Sequence, residues 1–493
     1  MLNAAQSTYD IVILGAGFGG LGMAAQLKMQ GIDNFIVLER GSRIGGVWRD
    51  NAYPGAACDT ESHLYCYSFF PHLRVSKMYA DRQELLAYMD AMAQHYDVLQ
   101  HVQLDSELSA ARWDESAQRW AFELADGSLL QGRFFVPAWG QLNKPAIPAF
   151  KGLEAFAGEY FHSAQWPADA RLAGKKVASI GAAASAVQYV PEVAKEAAHL
   201  TVFQRSANWI MPRNQIVFTQ AQLDAYSAKP ELFHESRRDL HAFRENGFAR
   251  TRHGTEAQQE GIKMARGHLA AQVADAELRA KLTPDYEFAC KRILRSDDYY
   301  PALTRDNVTL ETAAVDHFVP EGIVDKSGAL HAVDVVIFGT GFESQAFQGD
   351  LQVIGRNGQT LHQRWQDGAE AYLGMTVPGF PNLFMIYGPN TNLNHNSIIT
   401  MLEIQQRYII QAIKSLEQQA LDVKQEAFSA YNDALQTNMQ SSAFSSDCSS
   451  WYKNAAGKVI NNWSGTVDEY RALASEWRAS DYHLSGVQSE VVA

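Results

Sequence analysis

Tyr9-Asp10-Ile11-Val12-Ile13-Leu14-Gly15-Ala16-Gly17-Phe18-Gly19-Gly20 decides the fold class. Its first part is β-branched and apolar apart from Asp10, which predicts a buried strand. Three glycines spaced Gly-x-Gly-x-x-Gly follow at once, and Leu21 to Gln30 reads as a helix. A strand, a glycine turn and a helix in that order form a dinucleotide-binding fingerprint. Gly15 permits the tight turn, Gly17 lets the backbone approach a pyrophosphate, and Gly20 lets helix and strand pack closely. The helix N-terminus then faces the phosphates. A second strand, Phe35 to Leu38, ends at Glu39. A carboxylate there accepts both hydroxyls of an adenosine ribose and repels a 2′-phosphate, so this first site suits FAD or NAD.

Working outward, a second copy lies at Val177-Ala-Ser-Ile180-Gly181-Ala-Ala183-Ala-Ser185-Ala186. Alanine stands at its second and third glycine positions, which adds a methyl where backbone and ligand meet. Ser185 and Gln188, at the start of the following helix, are candidate cofactor contacts. The next strand, Leu200 to Phe203, leads into Gln204 and Arg205. Arg205 stands as far after Gly181 as Glu39 stands after Gly15, 24 positions in each case. A guanidinium in place of the acid grips a 2′-phosphate through two parallel hydrogen bonds. That favours NADPH over NADH; the plain alternative is a solvated surface arginine.

With 493 residues the chain exceeds one ordinary core, and two or three lobes are expected. A content of 46% hydrophobic and 20% charged residues predicts a globular protein. The net charge of -13 argues against a nucleic-acid partner, which needs a basic face. No apolar run is long enough for a membrane-spanning helix. Met1 to Asp10 has no basic region followed by an apolar one, so no signal peptide is expected. Cys58, Cys66, Cys290 and Cys448 show no Cys-x-x-Cys and no metal-ligand spacing, so no metal is expected. Reduced thiols and a cytoplasmic location are the default expectation.

Between the two turns lies Phe156-Ala-Gly158-Glu-Tyr-Phe-His162-Ser-Ala-Gln-Trp166-Pro167. Its spacing, Phe-x-Gly-x-x-x-His-x-x-x-Trp-Pro, resembles the fingerprint of type I Baeyer–Villiger monooxygenases. Gly45-Gly46-Val-Trp48, followed by Tyr53-Pro54-Gly55 and Asp59, resembles a second signature of the same enzymes. Cys290-Lys291-Arg292 through Tyr299-Tyr300-Pro301 resembles the family segment that carries a catalytic arginine. Val333 to Phe342 resembles the turn at which the chain crosses back toward the FAD domain, with Gly339 where alanine is usual. Ser450-Trp451-Tyr452-Lys453 resembles the loop that closes over NADP.

The resemblance implies an α/β fold of two Rossmann-like dinucleotide-binding domains, for FAD and NADPH, with a helical insertion in the NADPH domain. It implies residues 1–143 as the first part of the FAD domain and 144–375 as the NADPH domain, with the insert at about 215–285. Residues 376–493 then complete the FAD domain and the C-terminal loop. Leu142 to Pro148 reads as a linker, Gly379 to Ile386 as a turn and a strand, and Leu484 to Ala493 as a frayed end. Ser397 opens an apolar helix whose N-terminus is suited to stabilising a reduced flavin anion.

The resemblance also assigns roles. Gly46 and Trp48 join the FAD contacts, Lys291 is an NADPH phosphate contact, and Trp451 contacts NADP. Arg292 is the catalytic arginine and Asp59 its partner beside the flavin. The chemistry needs that cation, because a peroxyflavin anion attacks the ketone carbon and negative charge develops on oxygen. Arg295 is a competitor that composition alone does not exclude. Phe156, Gly158, His162 and Trp166 mark the hinge between the nucleotide domains. The expected reaction is NADPH- and O2-dependent conversion of a ketone to an ester or lactone. A flavin-containing monooxygenase acting on sulfur or nitrogen is the close rival. A reductase needs a redox-active cysteine pair near the flavin, and a regulator without turnover has only Ala183 and Ala186 in its favour.

Overall fold

The computed structural model describes residues 7–345, 347–416 and 419–485. Residues 1–6, which carry most of the segment tested for a signal peptide, lie outside them. Leu484 and Ser485 are not frayed: they complete the strand Tyr482–Ser485, which pairs antiparallel with Ala420–Val423. The rest of that tail lies outside the described residues.

The β-branched run after Ser7 forms the strand Ser7–Leu14, and Ile11, Val12 and Ile13 are fully buried. It is an inner strand of a seven-stranded sheet. The spatial order is Gln352–Ile354, Leu108–Asp114, Arg119–Leu124, Leu129–Pro137, Ser7–Leu14, Phe35–Leu38, Val102–Gln103. Ser7–Leu14 runs parallel to both neighbours, with Leu14 opposite Leu38 on one side and Pro137 on the other. Both faces of such a strand are covered, which explains a continuous apolar run in place of alternation. The helix Phe18–Met29 covers one face and packs against Ile398–Lys414. Gln352–Ile354 belongs to this sheet although it precedes residue 376.

The second sheet has five parallel strands, in the order Val308–Glu311, His199–Phe203, Lys176–Ile180, Val335–Phe338, Glu159–His162. The fingerprint segment supplies its edge: Glu159–His162 pairs with Val335–Phe338. Gly158 is required there, because a Cβ would sit 2.4 Å from the Asp334 carbonyl oxygen. Phe156 packs on Phe318, while Trp166 packs on Phe161 and Tyr189. These aromatics hold the edge strand against the sheet's two faces.

Between the short parallel strands Ile210–Met211 and Leu294–Arg295 the chain is helical. Helices Gln220–Ala228, Pro230–Asn246, Glu256–Gln272 and Ala276–Lys281 follow one another. Thr219, Thr255 and Asp275 each accept a backbone N–H at the start of a helix, which satisfies donors that the first turn leaves free.

Gly379–Ile386 departs from the expected strand. Its backbone bonds to Phe135 and Pro137, but only Leu383 opposite Phe135 forms a bridge. The segment takes the edge left free where the pairing of Leu129–Pro137 with Arg119–Leu124 stops at Gly132. Left-handed backbone at Asn382 and Tyr387 breaks the ladder on both sides.

Candidate active site

One cavity of about 1270 Å³ runs between the two sheets, lined by both glycine turns, Asp59, Arg292 and Trp451. At the first turn Gly15 has φ +100 and donates its N–H to the Leu38 carbonyl at 2.8 Å. A Cβ on Gly20 would lie 1.8 Å from the Gly15 carbonyl oxygen, so the helix seats on the strand only with glycine there. Gly17 faces Gly46, and a Cβ on Gly46 would come within 2.9 Å of the Gly17 Cα. The two glycines therefore keep open a backbone cradle at a helix N-terminus, the fit a pyrophosphate requires. Glu39 is 5% exposed. Its carboxylate accepts the N–H of Ala16 and Gly41 and pairs with Arg49, all at 2.8 Å. One of about four acceptor positions is left for a ribose hydroxyl. Trp48 donates its indole N–H to the Tyr65 hydroxyl at 3.3 Å and lines the same cavity.

The second turn reaches a similar backbone by other means. Gly181 has φ +107 and donates to the Phe203 carbonyl at 3.0 Å. Ala186 is fully buried, and its methyl lies at ordinary contact distance from the Gly339 position across the turn. A Cβ on Gly339 would stand 2.5 Å from the Tyr189 hydroxyl and 3.6 Å from the Ala186 Cβ. The Tyr189 hydroxyl is fixed 2.7 Å from the Ser179 hydroxyl. The glycine at 339 thus makes room for the Tyr189 hydroxyl. Ala183 is exposed at the cavity mouth, where its methyl displaces no protein atom.

Arg205 is exposed, and among the described residues no carboxylate lies within ion-pair distance of it. Lys291 lies close enough that Arg205 helps to hold its pKa down, after the larger effect of burial. Lys291 also donates to the Ser206 hydroxyl at 3.1 Å and stands 4.3 Å over the Tyr286 ring. Two neighbouring cations with unused donors form an anion site, which fits the 2′-phosphate of NADPH. Ser185 lines the cavity. Gln188 does too, yet its amide is spent inside the protein: it accepts from the Tyr53 hydroxyl at 3.0 Å and donates to the Ala57 carbonyl at 2.8 Å. It joins the second turn's helix to the loop that carries Asp59.

Arg292 donates to the Asp59 carboxylate at 2.5 Å, across 233 positions of chain. The Asp59 charge holds the guanidinium pKa above its ordinary value against the opposing effect of burial. Burial alone would raise the Asp59 pKa, but the charges of Arg292, Arg244 and Arg295 outweigh it and hold the carboxyl low. Burial keeps the hydroxyls of Tyr387 and Tyr452 beside Arg292 protonated. It also pushes the Cys58 thiol up to about 12. Arg295, the competitor, instead donates to the Pro212 carbonyl at 3.4 Å.

Three site neighbours escape a reading by motif. Arg244, in helix Pro230–Asn246, pairs with Glu61 at 2.8 Å and donates to the Asp59 carbonyl at 3.2 Å. Arg213 donates to the Cys58 carbonyl at 2.8 Å. Only Glu61 leaves a trace in the sequence, as a second acid two places after Asp59. The arginines come from segments whose approach to Asp59 is tertiary.

His162 is fully buried; its Nδ1 accepts the Ala164 N–H at 3.1 Å, and its Nε2 has no partner. Burial lowers its pKa, so the ring is a neutral one beside Phe342, where the chain passes from one sheet to the other. Trp451 is half-buried against the Tyr452 ring, and its carbonyl accepts from the Ser344 hydroxyl at 3.3 Å. Ser397 caps the helix Ile398–Lys414, and Asn396 and Ile398 line the cavity at that end.

The cysteine expectation needs correction. Cys290 and Cys448 form a disulfide, with Cys58 and Cys66 free and buried. The folded chain brings together two thiols 158 positions apart, which spacing alone does not reveal. The bond ties the segment before Arg292 to the loop before Trp451. Neither bonded cysteine lines the cavity, although their chain neighbours Lys291 and Ser449 do. Among the described residues no helix is long and apolar enough to cross a membrane.

Residues 8–218 match the family described as flavin-binding monooxygenase-like. A Baeyer–Villiger monooxygenase of Pseudomonas aeruginosa is 38% identical over 487 residues, covering 98% of this chain and 92% of the relative. One of Streptomyces coelicolor is 38% identical over 482 residues, covering 96% and 92%. Among solved structures, an oxidised steroid monooxygenase bound to NADP has a TM-score of 0.87 at 28% identity, covering 97% of this chain and 100% of that one. A cyclohexanone monooxygenase from a Rhodococcus species, bound to NADP+, has a TM-score of 0.87 at 25% identity, covering 98% and 100%.

Proposed function

The chain belongs to the Baeyer–Villiger monooxygenases, and on that premise we propose that it uses NADPH and O2 to oxidise a ketone to an ester or lactone. The observation that carries the assignment of roles is the Arg292–Asp59 pair, set in the cavity between the two glycine turns. FAD bound at the first turn supplies the transfer of electrons from NADPH and the activation of O2.

The protein's part is positional and electrostatic. Gly15, Gly17, Gly20 and Gly46 cradle the FAD pyrophosphate, and Glu39 orients the ribose. Arg205 and Lys291 hold the 2′-phosphate of NADPH, and Trp451 covers the cofactor from the C-terminal loop. Asp59 fixes the Arg292 guanidinium and offsets part of its charge. Arg292 keeps its proton throughout, so it acts as a fixed cation toward the negative charge that develops on the carbonyl oxygen. His162 and Trp166 transmit position between the two sheets and do not touch the substrate. Residues 1–143 and 376–493 serve FAD together with the strand Gln352–Ile354, and the rest of 144–375 serves NADPH, with the helices of about 215–285 walling the substrate end. The need for a regenerated NADPH pool supports a cytoplasmic location.

Arg292→Ala is the test. Ester formation falls by at least a hundredfold, in line with the loss of one preorganised charge contact, while anaerobic NADPH still bleaches the bound flavin. Wild-type ester yield in that variant removes Arg292 from oxygen transfer.

A further inference from the structure

Four guanidiniums gather around Asp59, and three of them, Arg244, Arg292 and Arg295, line the cavity. Arg292 is paired with Asp59, and Arg244 with Glu61. Arg213 donates to the Cys58 carbonyl and stacks 5.2 Å from the Tyr79 ring centre. The fourth, Arg295, lines the cavity, and among the described residues no carboxylate lies within ion-pair distance of it. The acids that face it are spoken for: Glu61 also accepts from the Tyr79 hydroxyl at 3.1 Å, and Asp297 takes the backbone N–H groups of Arg213, Asn214 and Gln215. The one protein acceptor Arg295 has is the Pro212 carbonyl at 3.4 Å, the long limit of a hydrogen bond.

Four cations against two paired acids leave a local excess of positive charge around Asp59. A half-buried guanidinium with spare donors is costly unless an anion meets it. The cofactor phosphates are accounted for elsewhere, at the first glycine turn and at Arg205 with Lys291. What remains within reach of Arg295 is the substrate. Its strand, Leu294–Arg295, is fixed by parallel pairing to Ile210–Met211, so the side chain projects from a rigid element and not from a loop.

We propose that Arg295 is a specificity-determining residue and that the preferred ketones carry a carboxylate, held by its guanidinium while the carbonyl lies at Arg292. This rests on the ketone-oxidising function proposed above and adds a substrate class to it. Planar, two-pronged recognition of a carboxylate is the chemistry to which a guanidinium is best suited.

The holoenzyme is assayed with an oxo acid and with its primary amide, which matches the acid in shape and lacks its charge. The wild type prefers the acid, with the gain mainly in KM. Arg295→Met lowers the acid-to-amide ratio of kcat/KM by roughly tenfold to a hundredfold, the range expected for one charge-assisted pair. Arg295→Lys keeps part of the preference. Equal use of acid and amide by the wild type overturns the proposal and needs no variant. A ratio unmoved by Arg295→Met overturns it as well. Neither of those results touches the ketone-oxidising function, whereas absence of an inserted oxygen in the products of both ketones overturns that function and this proposal together.

Discussion

The two nucleotide turns of this chain reach the same backbone course with different residues. The first uses three glycines and excludes a side chain at Gly20 by a 1.8 Å contact with backbone. The second keeps only its first glycine, buries Ala186 at the third position, and has Gly339 on the neighbouring strand connection set against the Tyr189 hydroxyl. At the first turn the buried acid Glu39 ends the second strand; at the second the exposed Arg205 and its neighbour Lys291 take the corresponding place. The comparison teaches that what a dinucleotide turn requires is a volume and a backbone direction. Which residues line that volume differs between the two turns, and so does the sign of charge at the end of the following strand.

The largest effect is expected at the first turn. Gly20→Ala drives a methyl into a carbonyl that cannot move without breaking the strand, so the purified protein carries no flavin and lacks visible absorbance. A yellow protein with the wild-type melting temperature would show that the first turn is as tolerant as the second. Next comes the charge at the second turn. Arg205→Ala raises the KM for NADPH by roughly tenfold to a hundredfold, the loss of one charge-assisted pair, and leaves that for NADH nearly unchanged. Equal shifts for both coenzymes mean that Arg205 does not read the 2′-phosphate.

The space at Gly339 is a smaller matter. Gly339→Ala overpacks against the Tyr189 hydroxyl and costs about 1–3 kcal/mol. Removing that hydroxyl with Tyr189→Phe in the same chain recovers most of the loss in a thermal melt. The smallest effect is one of pH. Burial, and then Arg205, hold the Lys291 pKa below that of a free lysine. The charged form binds phosphate, so rising pH removes the charge early and the KM for NADPH climbs a few-fold toward the alkaline limit. Flavin retention at the first turn, which relies on backbone N–H groups, stays level over the same range. A profile that is identical in Lys291→Met removes Lys291 from phosphate binding.

Local sequence determined both strand–turn–helix units, because a buried parallel strand, a glycine at positive φ and a helix start each follow from the residues in place. It also determined the sign of charge at Glu39 and Arg205, whereas the fingerprint, read as a hinge, was placed as the edge strand Glu159–His162 only by the folded sheet. Tertiary structure decided the rest. Arg292 and Arg295 stand three positions apart on one segment, and only the folded chain sets one against Asp59 and the other against open cavity. The same folding brings Arg244 from a distant helix to Glu61, sets the Tyr189 hydroxyl against Gly339, and joins Cys290 to Cys448. The physical reason is range. Backbone conformation depends on a few neighbouring residues, whereas ion pairs, filled volumes and thiol pairing depend on which distant surfaces are packed together.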